Sequence, residues 1–582
     1  MKYYANFCIL EVRMNFPKID MTPVSHPYPE TTMFGAVAAS AKRVPDAPAL
    51  NFMGKYTTYK AFVEKIELAA GAFLKAGIKK DDVVTICMPN TPQAVICLYA
   101  LNRIGAIANM VHPLSSGKNI TFYLDYSESK MILTLDQFYE KVEKSVKEAK
   151  NDVKIIVARI QEELPFIKAV AFKYLKNRQN LKFPGKGGLV WSDFVKTGAG
   201  VKLPEIEFSK DKAAVILYSG GTSGTPKGIY LSDWNFNCLG MQVAEISGCN
   251  LDYGCKFLSV MPIFHGFGLG IGIHTVLENG AMCILIPQFT KESYAKDVLK
   301  HKPNFIAGVP TLFEALLKVD IFEGADLSFL IGVFSGGDAL SPELKKRADK
   351  FFKEHNANLQ IREGYGLTEC VTASCVTPAD RAKVGSIGLP LRDTEYRIVE
   401  PGTFNFLPVG EMGEIIISGP TLMLGYKDAE EENAKTMRTD ENGKRWLFTG
   451  DAGYMDEEGF VYFKQRMKRL IVTSGYNVYP SQIENMIDKH PDVDYCCVIG
   501  VKDPYKMQKV RAYIVLNQGV EKSEETKQSI LAHCKEYLDV FERPKEIIFR
   551  DELPKTLVGK VAYHSLEEEA EREESEKEVV KA

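Results

Sequence analysis

The apolar positions change period repeatedly along the chain. Short runs that are apolar almost throughout fall at 82–88, 106–111, 130–135, 153–158, 213–217, 257–261, 281–286, 305–309 and 330–334. A strand covered on both faces has this pattern, and such strands belong to parallel sheets. Between them lie stretches with helical spacing, such as 93–105. Strand and helix in alternation predict an α/β fold of layered sheets. Residues 31–76 read as helices around a hairpin at 51–57, with Gly54 and Lys55 at its turn. Ser341 followed by Pro342 opens a helix. Further on, a strand at 413–420 lies between turns. After about residue 466 the pattern becomes that of a small α+β unit. It has strand-like runs at 495–501 and 510–516 and a helix over about 524–537. Ser481 and Glu484, three apart, have the spacing of a capping box.

At 582 residues the chain is long enough for several domains with large cores. A net charge of −3 gives no sign of a nucleic-acid binder. The 12 cysteines include no Cys-x-x-Cys, so reduced buried thiols are expected and no zinc site. The start lacks a cleavage-like signal, and Met14 is an alternative initiator to Met1. The most apolar long segment, 257–289, is broken by His265, His274 and Glu278, so no membrane-spanning helix is expected. Residues 164–190 look like an insertion. Within 164–183, Lys168, Lys173, Lys176, Arg178 and Lys182 alternate with Phe166, Phe172, Tyr174, Leu175 and Phe183. Such a segment suits a solvated helix with one core-facing stripe, or peripheral contact with an anionic membrane surface. Residues 567–582 form a charged tail, expected to be a solvated or frayed helix.

The chemistry concentrates at 218–228, which reads Tyr-Ser-Gly-Gly-Thr-Ser-Gly-Thr-Pro-Lys-Gly after a buried-strand run. Gly220, Gly221, Gly224 and Gly228 let backbone N–H groups turn toward an anion. The hydroxyls of Ser219, Thr222, Ser223 and Thr225 add donors, and Lys227 adds a charge. The loop suits a polyphosphate. It is not a Walker A loop, because Pro226 precedes Lys227 and Gly228 follows it.

This loop closely resembles the phosphate loop of the adenylate-forming superfamily, and the other motifs of that family follow in its order. They are Pro-Ile-Phe-His-Gly-Phe-Gly at 262–268, Ser-Gly-Gly-Asp-Ala at 335–339, Glu-Gly-Tyr-Gly-Leu-Thr-Glu at 363–369, Phe-Thr-Gly-Asp at 448–451, Gln-Arg-Met-Lys-Arg at 465–469 and the stretch around Lys560. The likeness is nearest to fatty acyl-CoA synthetases, through segments 365–370, 385–390, 423–426 and 474–480. The resemblance implies a large N-terminal domain of αβ-layered sheets plus a distorted β-barrel, with a small mobile α+β C-terminal domain. The expected boundaries are an extension over 1–30, an adenylation domain over 31–465, a mobile domain over 466–566 and the tail.

The resemblance also assigns roles. Gly336, Gly337 and Asp338 border the adenine, and Tyr365 and Gly366 offer it a stacking ring and close backbone. Thr368 offers a hydroxyl to the α-phosphate, and Glu369 offers a hard oxygen to magnesium. Asp451 and Arg466 meet the ribose. Lys560 is the mobile catalytic lysine, although the Arg that often follows it is replaced here by Val-Ala-Tyr-His. Lys468 is the hinge, and Ser474 and Gly475 line the thiol's approach. His265, Phe267 and Gly308 line the acyl pocket. The neighbours Phe267, Leu269, Ile271 and Ile273 carry no acid that could meet an amino acid's ammonium, so an uncharged, apolar acyl group is expected.

The implied reaction is fatty acyl-CoA synthesis. ATP, Mg2+ and coenzyme A serve, acyl-AMP is the intermediate, and the location is cytoplasmic or peripheral to the inner face of the membrane. Three alternatives stay open: activation of an aryl or bile-type acid, transfer to a carrier-protein thiol, and a catalytically silent nucleotide-binding relative.

Overall fold

The apolar runs become the interior strands of two large sheets. The structure, a computed structural model, describes residues 19, 21–22, 24–170, 188–219, 226–469, 471–473, 476–503, 507–556 and 561–581. In an eight-stranded sheet, Val83–Cys87, Ile107–Met110, Met131–Leu135 and Lys154–Ala158 pair in parallel, and Ala213–Ser219 lies beside Ile107–Met110. Every residue of Ile107–Met110 and Met131–Leu135 is buried, which accounts for the lack of polar alternation. In a nine-stranded sheet, Met282–Leu285, Lys256–Ser259, Phe305–Gly308, Gly332–Gly336 and Ile361–Tyr365 run parallel in that spatial order. The predicted hairpin forms its edge from Pro48–Phe52 and Lys55–Thr58. Its turn is Met53 and Gly54, not Gly54 and Lys55 as expected, because Lys55 already pairs with Phe52; both turn residues have positive φ, as a type I′ turn requires. One apolar core connects the two sheets.

A third sheet is antiparallel, from Glu395–Val399, Gly413–Ser418, Arg445–Met455 and Met437–Thr439, with Val461–Arg466 alongside. A fourth follows residue 470. It holds Ile471–Thr473, Tyr476–Val478, Val493–Asp503, Met507–Leu516 and Glu546–Arg550, and helices Pro480–Ile487 and Glu524–Tyr537 pack with it around a separate core. The fold is therefore mixed α/β, with a large N-terminal domain and a small C-terminal one.

Some local expectations are corrected. The strand expected at 330–334 runs instead over Gly332–Gly336. Pairing with both neighbours carries the ladder to Ser335 and Gly336, although small residues suggest a loop there. No capping box forms at Ser481. The helix starts at Pro480, whose fixed φ suits the first helical position. The Ser481 hydroxyl donates to the Lys464 carbonyl at 2.6 Å, and Glu484 pairs with Arg469 at 2.6 Å. The charged tail is the helix expected there, but it is tied to the small domain instead of solvated throughout. Tyr563–Lys581 is a helix. Arg511, only 1% exposed, holds Glu546 on the neighbouring strand and Glu573 and Glu574 on this helix at 2.5, 2.8 and 3.0 Å.

Gly220, Gly221, Thr222, Ser223, Gly224, Thr225, Ser474, Gly475 and Lys560 lie outside the described residues, as do 171–187 of the basic segment and the side chain of Lys468. The described cysteines are free and buried. No described helix is long and apolar enough to cross a membrane.

Candidate active site

The carboxyl ends of parallel strands are where an open α/β sheet offers backbone to a ligand. Here Phe305–Gly308, Gly332–Gly336 and Ile361–Tyr365 end at a cleft of about 2010 Å3. Ser219 and Lys227 reach it from the eight-stranded sheet, where they are direct partners across an antiparallel pair. Gly336, Gly337, Asp338, Tyr365, Gly366, Thr368 and Glu369 reach it from the nine-stranded sheet, and Asp451 and Arg466 from the third. Residues more than 240 positions apart in sequence thus share one cavity. Gly366 is required where it stands, because a Cβ there would fall 1.5 Å from the Thr372 carbonyl oxygen. Gly337 takes a positive φ of 82° at the turn leaving its strand.

Asp451 and Arg466 are cross-strand partners, and the Arg466 Nε lies 3.0 Å from Asp451 Oδ1. The Tyr365 hydroxyl donates to Asp451 Oδ2 at 2.5 Å. Asp451 is 1% exposed, yet no described group donates a hydrogen bond to Oδ1, since the Arg466 contact is an ion pair without hydrogen-bond alignment. A buried carboxylate oxygen lacking a donor is what a ligand hydroxyl would satisfy. Burial pushes the Asp451 carboxyl up to about 6, against the opposing pull of Arg466 and Tyr365.

Glu369 follows the strand on a short 3-10 turn, Thr368–Cys370. Its Oε1 accepts from the Tyr426 hydroxyl at 2.8 Å. Lys227 Nζ lies 5.3 Å from the centre of the Tyr426 ring and pairs with Glu432 at 2.7 Å. The turn ends at Val371, a buried β-branched residue at φ 64°, a conformation that stores strain of about 1–3 kcal/mol. Among the described residues no cluster of three His, Cys, Asp or Glu could hold a metal. The donor set at Glu369 fits magnesium, which takes one or two carboxylates and fills its remaining positions with phosphate oxygens and water.

On the other side the cleft is apolar. Its wall includes Val243 and Ile246 from the helix Asp233–Ile246, and Phe267 and Ile271 from the π-helix Phe267–Thr275. A π-helix brings residues four to five apart onto one face, and such segments recur at functional sites. His265 also lines the cleft, and its Nδ1 accepts from the Phe267 N–H at 3.2 Å. Gly308 does not line it. A Cβ there would meet Leu312 Cδ1 at 2.8 Å, so Gly308 packs under the next helix and Pro310 and Thr311 form the wall.

Reading the sequence missed three cleft residues. Tyr426 ends a segment that carried only a family likeness, and Glu432 closes an acidic run at 430–432 that reads as a solvated face; only the fold brings them to Glu369 and Lys227. Glu363 opens a recognised motif but was given no role. It lines the cleft, and burial pushes its carboxyl up to about 7, partly offset by Lys345. At the rim, Lys318 of the large domain pairs with Asp494 of the small one at 3.2 Å.

The profile of the AMP-binding enzyme family matches residues 37–427, and that of the AMP-binding enzyme C-terminal domain matches 482–560. The chain is 33% identical over 557 residues to a long-chain-fatty-acid–CoA ligase of Bacillus subtilis (strain 168), covering 94% of this chain and 96% of that one. It is 32% identical to a protein of the same name from Escherichia coli O6:H1, covering 91% and 93%. Among solved structures, the anthranilate CoA ligase AuaEII in complex with anthranoyl-AMP superposes with a TM-score of 0.81 at 22% identity, covering 94% and 99%. Two family profiles in order, the first covering the two large sheets and the second most of the small domain, establish that this chain belongs to the AMP-binding enzyme family.

Proposed function

We propose that the chain is an ATP-dependent fatty acyl-CoA synthetase. AMP-binding ligases use ATP, Mg2+ and coenzyme A. The observation that carries the reading is a single cleft with two kinds of lining. Asp451, Glu369 and Lys227 line it, and so do the apolar side chains of Val243, Ile246, Phe267 and Ile271. A charged nucleotide and an uncharged acyl chain each find a matching surface there. The names of the bacterial relatives point to the same acid.

In the first step the acid's carboxylate oxygen bonds to the α-phosphorus of ATP, and the bond to the leaving pyrophosphate breaks. Two anions meet, so neutralising charge is the main task. Lys227 and the hydroxyls and backbone of residues 219–225 hold the phosphates, Thr368 meets the α-phosphate, and Lys560 reaches both reacting groups. Magnesium, held by Glu369, neutralises phosphate charge when bound. Asp451 accepts from the ribose, Arg466 sits beside it, and Gly336, Gly337, Asp338, Tyr365 and Gly366 enclose the adenine. His265 sits where the acyl chain meets the adenylate.

In the second step the small domain turns about Lys468, and Lys560 leaves. The thiol of coenzyme A approaches past Ser474 and Gly475, its sulfur bonds to the acyl carbon, and AMP departs. Hinge rotation between domains of this kind is common. The proposed boundaries are 31–465 for the adenylation domain and 466–566 for the mobile one.

The test is thioester formation with free coenzyme A across acids from acetate to oleate, with benzoate and 4-coumarate included. Fatty acids are expected to give the highest kcat/KM. Preference for the aromatic acids would move the chain to the aryl class. Acid-dependent ATP–pyrophosphate exchange without a thioester would point to another acceptor, and no exchange at all to a silent relative.

A further inference from the structure

We propose that Phe257 and Phe305 form the end stop of the acyl slot and limit the enzyme to acids of medium chain length. This rests on the acyl-CoA synthetase reading of the cleft. In a parallel sheet, residues in register share a face, and so do residues two apart along a strand. Phe257 pairs with Phe305, Phe305 with Gly332, Phe334 with Arg362, and Gly336 with Gly364. One face therefore carries Gly336 and Gly364 at the nucleotide end, Phe334 in the middle, and Phe257 and Phe305 at the far end. These three phenylalanines all line the cleft.

The π-helix runs over this face in the same direction. A Cβ on Gly336 would lie 3.8 Å from Phe267 Cε1, and a Cβ on Gly272 would lie 3.9 Å from Phe257 Cε1. Val243 and Ile246 bound the slot from the helix Asp233–Ile246. The end of that helix is pinned by Arg362, which donates to the Ile246 carbonyl at 2.7 Å and to the Thr377 carbonyl at 2.7 Å. The slot thus has fixed walls and a defined length. Gly336 lies four positions along the strand from Gly332, a rise of about 13 Å, room for an extended chain on the order of ten carbons.

What stops the chain there is a pair of rings stacked at 6.4 Å between centroids and inclined by 19°. Phe305 is 2% exposed and Phe257 7%. Gly332 makes the stop possible. A Cβ on it would lie 2.8 Å from both Phe305 Cδ1 and Phe334 Cε2, so only glycine lets the two rings lie down on the sheet.

The experiment measures kcat/KM for the saturated acids from butyrate to stearate in the full-length protein and in Phe257→Ala, Phe305→Ala and the milder Phe305→Leu. For the wild type, values should peak near decanoate and fall by about tenfold or more by palmitate, as expected when methylenes no longer fit. In the variants the peak should move to longer acids, while octanoate-dependent ATP–pyrophosphate exchange reports that the fold and nucleotide site are intact. An unchanged length profile in a variant that retains exchange with octanoate overturns the end stop, as does a wild type that uses palmitate as well as decanoate. If no fatty acid is used while an aromatic acid is, the underlying fatty-acid reading fails instead, and the proposed stop falls with it.

Discussion

The Tyr365 hydroxyl donates to the Asp451 carboxylate at 2.5 Å, joining two residues 86 positions apart at the wall of the cleft. The contact ties the last residue of a nine-stranded-sheet strand to the middle of a third-sheet strand. It fixes the carboxylate whose other oxygen has no donor. Replacing Asp451 with Ala should therefore raise the KM for ATP by about tenfold to a hundredfold, the size of a hydrogen bond to a charged group. Tyr365→Phe, which leaves Asp451 in place, should have a smaller effect. Steady-state kinetics with ATP varied at saturating acid checks both.

The pH dependence follows from the same carboxylate. Burial raises Asp451 to about 6 and Glu363 to about 7. Each group binds its proton more tightly in the fold than in the unfolded chain. Their contribution to stability is therefore full below the unfolded values near 4 and is lost as pH rises through about 6 to 7. ATP binding should move the other way. The KM for ATP should rise as pH falls below about 6, because Asp451 takes up a proton, and Asp451→Asn should flatten that limb.

Tyr426→Phe removes the hydroxyl that orients Glu369 and leaves the ring beside Lys227. The expected result is a magnesium requirement about two- to tenfold higher at fixed ATP, the range of one ordinary hydrogen bond, with little loss of thermal stability. Titrating magnesium in an initial-rate assay measures it.

The strands were legible because burial on two faces leaves a signature that does not depend on partners, as at Met131–Leu135. The helix Glu524–Tyr537 was legible through its periodicity. Most nucleotide-side residues could be singled out because several occur in one short motif, as Tyr365, Gly366, Thr368 and Glu369 do. Tyr426 could not, since its role exists only after its two-residue strand pairs with Tyr230 and Ile229. Ser481 misled because a Ser-x-x-Glu spacing is local information, while Lys464 and Arg469 compete for those side chains from elsewhere. The tail was legible as a helix but its docking was not, for a similar reason: its acids face Arg511, 62 positions or more away along the chain.

Arg511→Met should loosen the C-terminal helix. Glu573 loses its partner while Lys509 still holds Glu546 and Glu574, and these acids are partly exposed, so the loss should be about 1–3 kcal/mol, the range for hydrogen bonds to charged groups. Hydrogen exchange should quicken in Tyr563–Lys581, and the unfolding midpoint of the small domain should fall. The nine-stranded sheet should keep its protection.

Two glycines make a matched pair. Gly366→Ala drives a Cβ against the Thr372 carbonyl and should displace Thr368 and Glu369, reducing activity by about a hundredfold or more. Gly272 is also buried, but a Cβ there would find its nearest neighbour at 3.8 Å. Gly272→Ala should fold and turn over octanoate within about twofold of the wild type, since it creates no clash.

Convergence of Asp451, Glu369 and Lys227 on one bound nucleotide is most directly tested by the products of ATP turnover when a fatty acid and coenzyme A are added together. The account predicts AMP and pyrophosphate in equal amounts, dependent on the acid and greatly reduced in Asp451→Ala. Formation of ADP and phosphate, or AMP release that ignores the acid, would contradict it.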